Sequence, residues 1–102
     1  MARVVVSLLA QSDTRYILSG LAAVAGLGVA SKYAAEFEAL YERLTVHPES
    51  GPSRSAIGQY VRIGVVSPYV LIYEYDHASD VVTIFRIVHG RRRITGKLLC
   101  GD

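Results

Sequence analysis

Apolar residues follow a helical period through the first half of the chain and a period of two through the second half. Steps of three and four residues predict one helix over residues 8 to 25 and another from about 29 to 46. The β-branched run RVVVS at 3–7 predicts a strand, and its last residue, Ser7, is of a type that caps a following helix. The GLG run at 26–28 predicts the break between the helices.

Three strands are predicted after a loop at 47–55 that contains two prolines, a glycine and three serines. They cover residues 60–66, 69–75 and 81–89, with short turns between them, which favours an antiparallel meander. Helices and strands are thus grouped along the chain, a pattern typical of the α+β class. We therefore expect one domain over residues 1–102, in which an N-terminal strand is followed by a helical hairpin packed on a small antiparallel sheet.

The net charge of +2 is modest, but charged residues are unevenly distributed. Residues 36–49 carry four glutamates and one arginine, whereas the chain from residue 86 onward carries five basic residues and one aspartate. This asymmetry predicts two surfaces of different electrostatic character, and so two partners, or one partner and one target.

Several classes of protein and site are disfavoured by the sequence. The single cysteine, Cys100, cannot form an internal disulfide, which is typical of a cytoplasmic protein. The apolar run at 17–30 is shorter than the roughly 20 residues that span a bilayer, so no membrane association is expected. The three histidines are scattered, and no phosphate-binding loop or nucleophile elbow is present. We expect no metal and no cofactor.

The candidate functional residues are basic. Arg62 lies in the first strand of the meander, Arg86 lies among apolar residues of the last strand, and His89 ends that strand. Because an unpaired buried charge is costly, Arg86 either pairs with Glu74 across the sheet or belongs to a functional surface. In the second interpretation the following residues gather at one sheet edge to meet an anionic surface: Arg62, Arg86, His89, Arg91, Arg92 and Arg93. The triple arginine is also compatible with a solvated tail.

The seven tyrosines near this basic set raise the alternative of base stacking on nucleic acid. Spacing instead favours core packing for four of them, Tyr33, Tyr41, Tyr60 and Tyr73. Tyr69, beside the Ser67-Pro68 turn, is expected to be exposed.

The chain resembles toxins of the RelE/ParE superfamily, the plasmid-stabilisation toxins of bacterial type II toxin–antitoxin modules, over about residues 4 to 95. The resemblance rests on an ordered series of motifs: SLLAQSD (7–13), GLGVASKY (26–33), HPESGPSR (47–54), YVRIGVVSPYVLIYEY (60–75) and VVTIFRIVHGRRR (81–93). It implies a helical hairpin on a small antiparallel sheet, and a cognate antitoxin that is often a ParD-like ribbon-helix-helix protein. Such an antitoxin wraps a helical tail around the toxin, and we expect its groove on the hairpin and adjoining sheet.

The superfamily contains two mechanisms. RelE-like members cut messenger RNA on the ribosome with lysines and arginines, whereas ParE-like members inhibit DNA gyrase. On the strand that corresponds to residues 60–66, RelE-like nucleases carry a pair of lysines, whereas this chain has only Arg62. They also carry an arginine at the position where this chain has Val70. The tyrosine that usually follows the basic run is replaced by Ile94-Thr95-Gly96. The HGRRR run at 89–93, and the loop that contains His47, Pro48 and Gly51, resemble the ParE-like branch.

The resemblance therefore implies a toxin that is neutralised by an antitoxin and inhibits gyrase without catalysis. The alternative is a metal-independent, RelE-like ribonuclease in which Arg62 and Arg86 contact phosphate and His89 is the general base. Two further interpretations are a nucleic-acid-binding module with salt-sensitive affinity and a degenerate toxin that only binds its antitoxin.

Overall fold

The computed structural model describes residues 1–91, which form two helices on one face of a four-stranded sheet. The elements are β1 (Arg3–Val6), α1 (Leu8–Ala25), α2 (Leu27–Val46), β2 (Val61–Val66), β3 (Tyr69–Asp76) and β4 (Val81–His89). The predicted α+β architecture is confirmed.

Both ends of α1 are set by the residues that the sequence indicated. The Ser7 hydroxyl accepts a hydrogen bond from the Ala10 amide, so it caps the helix. Gly26 has a φ of 96°, a conformation that side chains disfavour, and it ends α1. Because this single residue turns the chain, α2 begins at Leu27, two residues before the predicted start.

The sheet has the order β1-β4-β3-β2. The predicted antiparallel meander is confirmed, since β2 pairs with β3 and β3 with β4 in antiparallel fashion. The expectation of a wholly antiparallel sheet is wrong. The meander leaves one edge of β4 open, and β1 joins it in parallel, from Arg3 opposite Val81 to Val6 opposite Ile84. The sheet is therefore mixed.

The main core lies between α2 and the sheet. Phe37, Leu40 and Leu44 are buried against the inward-facing residues of β3 and β4, among them Tyr73 and Ile84. A smaller cluster of Val61, Ile72 and Val88 lies on the opposite face of the sheet, with Ile57 packed against it. In α1, by contrast, the only fully buried residue is Ala10. Ile17 and Leu18 pack partly against the core, whereas Leu8, Tyr16 and Val24 remain exposed.

The tyrosines follow the packing prediction in part. Tyr73 is buried, and Tyr33 and Tyr41 pack partly against the core. Tyr60 is 66% exposed because it lies just before the edge strand β2, so the prediction that it packs is wrong. Tyr69 was expected to be exposed but is partly buried, and its ring lies against those of Tyr33 and Phe37.

Within residues 1–91, neither helix is long and apolar enough to cross a membrane.

Candidate binding surface

β4 extends beyond β1, and α1 covers the part of its edge that β1 leaves open. A register shift leaves Phe85 without a partner on β3, because Tyr73 lies opposite Ile84 while Ile72 lies opposite Arg86. At this bulge the Ser7 hydroxyl donates to the Phe85 carbonyl over 2.9 Å. The start of α1 thus satisfies backbone groups that have no strand beside them.

Arg86 and Asp13 form an ion pair between α1 and β4. The Arg86 Nε and Nη2 atoms donate to the two Asp13 carboxylate oxygens over 2.7 and 3.0 Å. Asp13 Oδ2 also accepts from the Ile87 amide over 3.0 Å. Arg86 is only 6% exposed, and its hydrogen bond with Asp13 raises the pKa of the guanidinium.

The expected pairing of Arg86 with Glu74 is therefore wrong. Glu74 lies opposite Val61 and Thr83, so it does not neighbour Arg86 in the sheet. The bulge and the covering helix direct Arg86 to a carboxylate 73 residues earlier in the chain. Such a partner gives no periodic signal in the sequence.

Arg62 is held by the loop that follows α2. Its Nη1 atom donates to the backbone carbonyls of Glu49 and Gly51 over 3.1 and 2.8 Å. Its Nη2 atom lies 3.4 Å from Glu49 Oε2, which also lies 3.5 Å from His77 Nε2. This guanidinium therefore fastens the 47–52 loop to β2 at the rim of the sheet.

His89 is exposed at the end of β4, where the chain turns. Its ring meets the edge of Tyr69, with ring centres 5.9 Å apart, and its Nδ1 atom accepts from the Arg91 amide over 3.1 Å. The Gly90 amide donates to the Pro68 carbonyl over 2.8 Å, which ties this turn to the β2–β3 turn. A neutral imidazole that accepts at Nδ1 carries its proton on Nε2.

The structure does not bring the predicted basic residues together. Arg62 lies opposite Tyr73 on the outer strand β2, whereas His89 lies opposite Tyr69 at the end of β4. Arg86 is buried in its ion pair. Arg91 is exposed beside His89, and Arg92 and Arg93 lie outside the described residues.

A groove of about 420 Å³ lies between α1 and the C-terminal half of β4. Its lining residues are mostly apolar: Asp13, Tyr16, Ile17, Gly20, Val24, Tyr69, Ile87, Val88 and His89. Tyr16 is 84% exposed and Val24 is 90% exposed. The groove lies where the helical hairpin adjoins the sheet, the place at which the sequence predicted an apolar groove.

The groove residues of α1 were not identified individually from the sequence, although a signal was present. Asp13, Tyr16, Ile17, Gly20 and Val24 recur at steps of three and four, so they form one helical stripe. Ile17 packs partly against the core, whereas Tyr16 and Val24 of the same stripe are exposed. An apolar stripe in excess of what the core needs indicates a partner surface.

No group of three or more histidine, cysteine, aspartate or glutamate side chains that could hold a metal ion is found in residues 1–91.

Comparison with known proteins decides the family. Residues 4–94 match the family described as the ParE toxin of type II toxin–antitoxin system, parDE. The chain belongs to this family. It is therefore a type II toxin of a ParDE toxin–antitoxin system, and the resemblance identified from the sequence motifs is confirmed.

A solved structure supports the fold of this ParE-family toxin. The chain is similar to one from the chromosomal ParDE TA system of P. aeruginosa, with a TM-score of 0.73 and 18% sequence identity. The similarity covers 87% of this chain and 96% of the other. No curated protein matches the chain.

Proposed function

We propose that this ParE-family toxin inhibits DNA gyrase by binding it, without catalysing a reaction. We propose further that a cognate antitoxin, ParD-like or related, neutralises it by inserting an apolar helical segment between α1 and β4.

The observation that carries the first part is that the groups a nuclease would use are already engaged. The Asp13 carboxylate accepts from Arg86 Nε and Nη2, and the Glu49 and Gly51 carbonyls hold Arg62. His89 accepts a backbone hydrogen bond at Nδ1, so its neutral ring has no nitrogen left to accept a proton from a substrate hydroxyl. This arrangement favours binding over ribonuclease chemistry.

The exposed C-terminal basic residues are the proposed contact with gyrase. Arg91 and His89 are exposed at the end of β4, and the sequence continues with Arg92 and Arg93. Charged side chains at an accessible end of the molecule steer association with a partner of opposite charge. Arg62 and Arg86 then act indirectly, since they hold the loop and the strand in place.

A supercoiling assay with purified gyrase tests this proposal. We expect the full chain to inhibit supercoiling and the triple variant Arg91→Ala, Arg92→Ala, Arg93→Ala to lose most inhibition. The matched control replaces three exposed arginines elsewhere, Arg3, Arg15 and Arg54, and should inhibit as the parent does. Normal supercoiling together with messenger RNA cleavage on ribosomes, abolished by His89→Ala, would instead establish the ribonuclease alternative.

The groove supports the proposal of antitoxin binding. Tyr16 and Val24 present exposed apolar surface on α1, and burying this surface favours association. An amphipathic helix places apolar anchors at three- and four-residue steps, which suits a groove lined by a stripe of the same period.

Co-purification with the cognate antitoxin tests the groove. Val24→Asp places a charge in the apolar groove and should weaken co-purification strongly. Val46→Asp is the matched control, because Val46 is also an exposed valine at 56% but lies at the end of α2, away from the groove. Equal effects of the two substitutions would contradict the proposed docking position.

A further inference from the structure

The outer edge of β2 is covered along only part of its length. The Val61 carbonyl accepts from the Arg54 amide over 2.8 Å, and the Ile63 amide donates to the Pro52 carbonyl over 3.1 Å. Odd-numbered residues of β2 therefore direct their backbone groups outward, away from β3. By the same alternation the amide and carbonyl of Val65 face outward, and no group of residues 1–91 bonds them.

This open stretch lacks the features that usually protect an edge strand. Gly64–Val66 contains no charge and no proline, and the Val65 side chain is 56% exposed. Gly64 also allows α2 to lie close to the strand, since a Cβ atom there would approach Leu40 to 3.0 Å. A strand edge with accessible backbone groups, beside a helix that lies close to the sheet, is suited to pairing with another strand.

α2 runs along β2 in the opposite direction. Two shallow grooves between them share Arg43: one, of about 350 Å³, reaches from Glu36 to Ser67, and the other, of about 240 Å³, reaches Leu44 and Ile63. Glu36 therefore lies near one end of the open edge and Arg43 near the other. Neither side chain makes an ion pair within the described residues.

We propose that two copies of this chain pair through the open edge of β2, antiparallel, about a two-fold axis at Val65. A two-fold interface must be self-complementary, because each copy contributes the same patch. With the axis between Glu36 and Arg43, the glutamate of one copy faces the arginine of the other, twice. The charges flanking this edge thus fit a second copy of the chain.

The pairing also provides hydrogen-bond partners for the outward amide and carbonyl of Val65 and covers its exposed side chain. In an antiparallel hydrogen-bonded pair, two opposed residues exchange both of their N–H···O bonds, so the two Val65 residues satisfy each other. Their side chains then lie side by side on the sheet face that holds Val61 and Ile72. The interface is short because the 52–54 segment covers the rest of the edge, so the dimer dissociates on dilution.

Charge reversal combined with sedimentation equilibrium of the purified full chain tests the proposal. Glu36→Arg and Arg43→Glu each create two repulsive pairs across the axis, so each should weaken dimerisation about tenfold or more. An equimolar mixture of the two variants should dimerise again, because one chain then carries two arginines and the other two glutamates. Val65→Pro, which removes the outward amide, should leave a monomer.

Glu42→Arg is the matched control, because it reverses an exposed charge on α2 that lines neither groove, and it should dimerise as the parent does. Circular dichroism checks that each variant is folded. A parent chain that stays monomeric up to its solubility limit would overturn the proposal, as would a mixture that associates no better than either variant alone. Variants that sediment unchanged but bind the antitoxin less would assign the edge to the antitoxin. None of these readouts depends on gyrase.

Discussion

Two arginines that occupy similar sequence positions have opposite environments in the structure. Both lie in strands of the meander, among β-branched residues. Arg86 lies in the seam between α1 and the sheet, 6% exposed, where its Nε and Nη2 atoms both donate to the Asp13 carboxylate. Arg62 lies at the rim, where it holds two loop carbonyls and a partly exposed carboxylate.

The difference shows how a strand arginine depends on what covers the sheet. In the seam, solvent cannot stabilise the charge, so Arg86 requires a fixed counter-ion. At the rim, water shares that task, so the bonds of Arg62 mainly order the loop. The seam residues should therefore determine stability, and the rim residues should affect local structure.

Breaking the seam pair should have the largest effect. Asp13→Ala leaves the Arg86 charge buried without its carboxylate and removes the acceptor of the Ile87 amide, so we expect a loss of about 3 to 5 kcal/mol in the free energy of unfolding. Urea denaturation followed by circular dichroism measures it.

The control removes both charges. Asp13→Ala combined with Arg86→Met removes the buried guanidinium charge as well and should recover part of the lost stability. If the single and double variants are equally destabilised, the buried charge is not the cause. A loss below about 1 kcal/mol for Asp13→Ala would mean that water enters the seam.

Breaking the rim interactions should have a smaller effect. Arg62→Met keeps most of the side-chain volume but removes the bonds to the 47–52 loop, and we expect a loss of about 1 kcal/mol in the free energy of unfolding. The same denaturation experiment measures it, and hydrogen exchange should increase at the Gly51 amide, which donates to the Tyr73 hydroxyl. Arg54→Met, at an exposed arginine, is the control and should change neither quantity. A loss as large as that of Asp13→Ala would remove the distinction between seam and rim.

The helices, the strands and the α+β class could be predicted from the sequence because each follows from local periodicity and capping. Ser7 and Gly26 determine the ends of α1 through their own chemistry. The parallel placement of β1 could not be predicted in this way, because it depends on which edge the meander leaves open.

The candidate site was only partly predictable. His89 is the last residue of the predicted last strand and lies at the exposed end of β4. The partner of Arg86 was not predictable, since a bulge at Phe85 and a distant helix together determine it. The groove was predictable as a region but not residue by residue, because exposure of an apolar stripe depends on how the two helices share the sheet.

The smallest expected effect compares a tyrosine of the helix layer, Tyr41, with one at the rim, Tyr75, by alkaline titration. Burial, and next the negative charge of Glu38, raises the pKa of Tyr41 from 10.0 to about 12. At the rim, the hydrogen bond to Asp80 raises the pKa of Tyr75. The hydrogen bond with Asp13 raises the pKa of the Arg86 guanidinium above its usual range, so the Arg86 charge stays constant over this titration.

Both tyrosines bind their protons more tightly in the folded chain, so each contributes stability that is present below pH 10. The contribution of Tyr41 is lost as the pH rises from 10 to about 12. Because its ring is partly exposed, we expect that loss to be under about 1 kcal/mol. Tyr41→Phe should flatten the dependence of unfolding free energy on pH in this window, as measured by urea denaturation at several pH values. Tyr75→Phe should flatten it less, because solvent at the rim stabilises the phenolate, and the reverse order would show that burial in the helix layer does not govern the titration.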